Sequence, residues 1–216
     1  MTEGYNFYFL YNLLNLEYYL KSNKLGLYSQ IISIGLKSLT YLLVLKYISP
    51  SIYGESVFQL TLMGFCLILS DSGGSSAIYS HKKLAEDIIN QYFSSSVTYS
   101  LILTVVVLIF IVFQKDIANI NIYFIISLLI LVSPANNVLI SVTQKHNYNN
   151  YFYFSRNFRD FFAFIFSLFL IYIQNLKLAL FLPQLLGEII LFIFLFNFVN
   201  TKIHKIKFRL KIEKEI

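Results

Sequence analysis

A single cysteine, Cys66, stands in the middle of an apolar run of this 216-residue chain, so no disulfide framework and no cysteine-based metal site can form within a monomer. Charge is nearly as scarce: 13% of residues are charged, against 57% hydrophobic and 18% aromatic, with positive mean hydropathy. That is too little polar surface to cover a water-soluble globule. There is no Gly-rich phosphate loop, no sound Ser/His/Asp order and no extramembrane segment large enough to carry chemistry. His81, His146 and His204 fall among Lys and Asn without a second ligand at metal spacing, and read as solvated side chains. Neither a metal nor a cofactor is expected. The N-terminal run lacks the basic region and small-residue cleavage site of a signal peptide, and is expected to stay on.

What the chain does have is apolar length. A hydrocarbon core of roughly 30 Å needs about 20 helical residues per crossing, and six stretches qualify: Leu27–Ile48, Ser56–Tyr79, Phe93–Phe113, Asn121–Thr143, Phe158–Ile173 and Leu178–Val199. The expected fold is all-α, a polytopic membrane protein built as a six-helix transmembrane bundle. Short polar links between the spans predict antiparallel neighbours in up-and-down order. Residues 1–26 form an N-terminal segment in which Phe9, Leu13, Leu16 and Leu20 share a face suited to the membrane interface. Residues 27–199 make the bundle and 200–216 a basic tail.

Thirteen of the seventeen Lys and Arg fall on one side of these spans, Arg156 and Arg159 among them. Lys46, Lys115 and Lys177 fall on the other, and Lys37 lies inside the first span. The positive-inside bias then places both termini in the cytoplasm, as an even number of crossings requires. The formal charge of +6 therefore reads as membrane orientation and gives no reason to expect nucleic acid.

Three charges sit where a bilayer penalises them, each at about 2.5 to 3.5 kcal/mol on the most lenient scale. Lys37 and Asp71 lie roughly 14 to 15 Å deep from the cytoplasmic ends of their spans, and Glu188 is at similar depth. Such groups face a partner, a wet cavity or a pathway. An ion pair between Lys37 and Asp71 that fixes two adjacent helices is one reading; convergence of the three on a transport cavity is the other. Gln30, Gln59, Asn136, Asn137 and Gln184 thicken the same polar layer. Pro134 and Pro183 each free a backbone carbonyl that a neighbouring helix or cavity water must satisfy. After Asp71, Gly73 and Gly74 allow a hinge or a close helix contact.

Residues 48–78 carry a resemblance. Ile48, Pro50, Tyr53 and Gly54 match a first-loop pattern, and Leu69, Ser70, Asp71, Gly73, Ala77 and Ile78 a second-span pattern, with Glu86 and Asp87 following. In order and spacing these resemble the start of the O-antigen and polysaccharide flippases of the multidrug/oligosaccharidyl-lipid/polysaccharide exporter superfamily. The resemblance implies two six-helix lobes working by alternating access, of which this chain looks like one. It implies a polyprenyl-pyrophosphate-linked oligosaccharide as substrate and the inner membrane as location, with membrane lipids and a second copy or separate second lobe as partners. Truncation of a longer protein is a further expectation. On charge sign and depth, Lys37 and Arg159 would attract pyrophosphate or acidic sugars, and Asp71 and Glu188 would carry coupling protons or sodium ions. A membrane-embedded glycan polymerase or acyltransferase, and a non-transporting half-protein, remain the alternatives.

Overall fold

The computed structural model describes residues 3–70, 73–81, 85–114 and 120–206. Among them are seven helices and no strand: α1 Glu3–Tyr47, α2 Pro50–Ser70, α3 Gly74–Ser80, α4 Glu86–Gln114, α5 Ile120–Lys145, α6 Asn149–Tyr172 and α7 Leu176–Lys202. The protein is an all-helical, polytopic membrane bundle. Five stretches are long and apolar enough to cross a bilayer: Lys24–Tyr47, Pro50–Ser80, Glu86–Ile109, Ile120–Lys145 and Leu176–Lys202.

The fifth expected crossing differs. The sequence suggested a short span from Phe158, yet α6 begins at Asn149 and holds 24 residues, about 36 Å of helix. It is long enough but falls outside the five apolar stretches, because Arg156, Arg159 and Asp160 lie within it. The Tyr- and Asn-rich run before Phe158 contains no Pro or Gly to stop a helix, so the link shrinks to residues 146–148.

Two joints turn without glycine. At the end of α5, Asn147 takes φ +62°, and Tyr148 N–H donates to Thr143 O at 3.0 Å while Asn147 N–H donates to Gln144 O at 2.9 Å. After α6, Gln174 takes φ +60° with the same pair of bonds, Asn175 to Leu170 and Gln174 to Ile171. Both are Schellman motifs that satisfy otherwise orphan carbonyls. Pro50 opens α2, where its missing N–H costs nothing, and Gly73 supplies a left-handed turn at φ +71° into α3.

Helix α5 is the axis of the bundle. Of its apolar stretch 67% is buried, against 17% for α1, and it feeds both cores. One core gathers Ile126, Leu129 and Ile130 with Met63, Cys66, Val107 and Phe181; the other gathers Val138, Leu139 and Val142 with Ile78, Phe93, Leu191 and Leu195. Helices α4 and α7 flank α5, α6 lies on α7, and α1 lies on α6 with a smaller contact to α7. The expected adjacency of the first two spans is therefore corrected: α1 takes α6 as its partner, and α2 rests on α5 and α4. The reason is chemical. Ser29, Ser33 and Lys37 on α1 find polar acceptors on α6.

Helix α1 also runs through residue 26 without a break; the side chains of Phe9, Leu13, Leu16 and Leu20 lie outside the described part. His204 corrects the solvated reading. Its side chain is 10% exposed, 3.2 Å from Glu86 and 3.2 Å from Asn90, so it ties the end of α7 to the start of α4.

Candidate functional site

Between α1, α2, α5, α6 and α7 lies a cavity of about 190 Å³. Lys37, Thr40 and Tyr41 line it from α1, Met63 and Leu67 from α2, and Leu129 and Ser133 from α5. Helices α6 and α7 supply its charge through Arg159, Asp160 and Glu188.

Arg159 organises these groups. Its Nε donates to Asp160 Oδ1 at 2.8 Å and its Nη1 to Glu188 Oε1 at 2.9 Å, with the arginine side chain only 13% exposed. The flat guanidinium, with five donors in a fixed fork, suits two carboxylates on different helices. Glu188 is held from behind by Asn136, whose Nδ2 donates to its Oε2 at 2.6 Å and to its backbone oxygen at 2.9 Å. Asp160 takes its remaining bond from Ser33 of α1. Lys37 is placed differently: its ammonium is 4.0 Å from Asp160 Oδ1, beyond hydrogen-bond reach, and its side chain is 56% exposed. Two cations thus meet two carboxylates, and one cation is left loosely held.

Backbone features let these side chains meet. Pro183 removes the N–H that would bond Ala179 O, and Ser167 of α6 donates to that carbonyl at 3.3 Å. This is the cross-helix rescue that proline inside a span demands. Gly187 lets the Arg159 stem cross α7, since a Cβ there would stand 3.0 Å from Arg159 Cγ. Gln184 donates to Tyr41 Oη at 3.1 Å, joining α7 to α1.

Of the residues singled out from sequence, Lys37, Arg159, Gln184 and Glu188 line the cavity, and Asn136 braces it. Asn137 is half-buried away from the lining, with its carbonyl accepting from Ser141. Gln30 is exposed on α1. Gln59 is buried in α2 with neither amide atom hydrogen-bonded among the described residues. Pro50 and Gly54 begin α2, and Gly54 has open space around it. Gly73 forms the turn, while Gly74 packs 3.4 Å from Val138 Cγ2 by its would-be Cβ. Asp71 lies outside the described residues, and the Lys37 contact found is with Asp160.

The sequence alone puts Arg159 on the basic, cytoplasmic flank. Because α6 starts at Asn149, it stands about 15 Å into the helix, so twelve basic residues oppose three on the two flanks. Asp160 is not among the residues the sequence singles out, although it carries a signal there: an acid directly after an arginine, beside a run dominated by Phe, Ile and Leu, has to have an internal partner.

The fold and the cavity together define a helical membrane protein with a charge-paired site inside its bundle. The chain belongs to the polysaccharide biosynthesis protein family, whose model matches residues 21–215. No curated protein and no solved structure matches it.

Proposed function

We propose that the chain is a non-enzymatic membrane transporter of the polysaccharide flippase type, moving a lipid-linked oligosaccharide across the inner membrane for surface polysaccharide. The observation that supports it most is the placement of Lys37, an exposed ammonium on the wall of a largely apolar cavity that also holds Arg159, Asp160 and Glu188. Charges at such depth mark pathways, and the family matched is one of polysaccharide biosynthesis proteins. Arg159 already serves two carboxylates, so Lys37 is the cation left for a pyrophosphate or an acidic sugar. Asp160 and Glu188 are the described acids suited to coupling protons or sodium ions, and Asp71 joins them by depth alone. Alternating access rocks one bundle against another around a midplane site. The reading therefore includes a second six-helix bundle, either a second copy or a separate lobe.

Lys37→Ala tests it in cells whose surface polymer depends on this chain. Polymer should fall by about tenfold or more, the loss of one charged contact, with chain abundance unchanged, and Lys37→Arg should retain most of it. Full polymer with Lys37→Ala removes Lys37 from the path.

Orientation has its own test. A cysteine replacing Tyr172, 85% exposed at the last position of α6, should react with an impermeant reagent in intact spheroplasts, and one replacing Lys205 only after permeabilisation. Labelling at 205 from outside would reverse the proposed topology.

A further inference from the structure

Helix α1 is bound to the bundle by a polar seam. From Gly26 to Tyr41 its inward face carries Gly26, Ser29, Ser33, Lys37 and Tyr41 at three- and four-residue spacing, the repeat that puts side chains on one helix face. Tyr153 of α6 covers Gly26, where a Cβ would come within 2.6 Å of its hydroxyl. Ser29 donates to Asn157 Oδ1 at 2.9 Å, and Ser33 and Lys37 both turn to Asp160. Tyr41 accepts from Gln184. Among the described side chains of α1, Val44 is the buried apolar one in the core.

The other charged walls are tied down. Arg159 to Glu188 joins α6 to α7, and Asn136 to Glu188 joins α5 to α7. At about 190 Å³ the cavity is smaller than the roughly 300 Å³ at which pockets begin to hold a drug-sized ligand. A sugar-phosphate headgroup would need a wall to give way.

We propose that α1 is that movable wall, parting from α6 along the polar seam, with Asp160 as the latch that holds it shut. The purpose of the motion rests on the transport reading; its geometry does not. Hydroxyl, amide, ammonium and carboxylate contacts exchange for water as a cavity wets, whereas interdigitated apolar side chains must unpack. Small residues let helices approach closely without interlocking. Lys37 belongs to both the seam and the cavity, so an anion drawn to it pulls one contact away from Asp160 and favours the open form by its differential affinity.

The single native cysteine makes the test clean. In a Cys66→Ala background, Ser29→Cys with Asn157→Cys permits an oxidative crosslink across the seam, and Ser133→Cys on the α5 wall reports access. Modification of position 133 by a water-soluble maleimide, read from its peptide mass, should slow by about tenfold or more on oxidation and recover on reduction. Asp160→Asn without the crosslink should speed it. Equal rates in the oxidised and reduced forms overturn the proposal, and that comparison keeps Asp160 intact should its replacement misfold. Surface polymer on the same cells separates the two readings. If access follows the crosslink while polymer ignores it, the movable wall stands and the transport reading fails.

Discussion

Arg159→Ala is expected to lower the stability of the bundle by about 3 to 5 kcal/mol, the cost of removing one partner from a buried ionic network. Asp160 is 3% exposed and Glu188 18%, so neither carboxylate has water enough to replace the guanidinium. Asn136 and Ser33 would remain as donors, each to one acid, but they carry no charge. Arg159→Lys should recover only part of the loss, since an ammonium lacks the fork that reaches two carboxylates on two helices. Neutralising the orphans by Asp160→Asn and Glu188→Gln in the Arg159→Ala background should recover more. Thermal unfolding in detergent orders these variants. An Arg159→Ala protein that melts with the parent would show that the cluster is hydrated and that Arg159 is not its clamp.

A second large effect is expected at Gly187. The would-be Cβ already stands 3.0 Å from Arg159 Cγ and 3.6 Å from both Ala163 Cβ and Arg159 O. Gly187→Leu adds three further carbons in the same direction, and overpacking of this kind costs about 1 to 3 kcal/mol, occasionally more. Relief has to come from α6 moving off α7, which stretches the 2.9 Å bond from Arg159 to Glu188. The substitution should therefore depress the melting temperature and, on the proposed transport reading, surface polymer. Gly187→Ala should do so mildly, because the neighbour at 3.0 Å is a flexible stem. Gly54→Leu is the control: nothing lies within 4 Å of a Cβ there, and the added side chain should be tolerated. Equal melting of Gly187→Leu and Gly54→Leu would contradict the close crossing of α6 over α7.

Sequence alone determined the helical membrane class and five stretches long and apolar enough to cross a bilayer. These follow from local quantities: apolar run length against bilayer thickness, and residue number times helical rise. It also showed that Pro183 needs a donor from outside its own helix, because the missing N–H is a property of proline itself. The donor, Ser167, became visible only once α6 lay on α7. Helix neighbours were beyond reach for the same reason. Chain order suggested α1 beside α2, and a partner from the far end of the chain won because it offered Asn157 and Asp160 where α1 presents Ser29, Ser33 and Lys37. Arg159 and Asp160 looked like the edge of a short span until α6 proved to start at Asn149. Only the tertiary structure could assign which cation is hydrogen-bonded to two acids and which is loosely held, since Arg159 and Lys37 carry the same charge and differ in what surrounds them. Composition sets the cost of each intramembrane charge, while the meeting of α1, α6 and α7 decides how that cost is met.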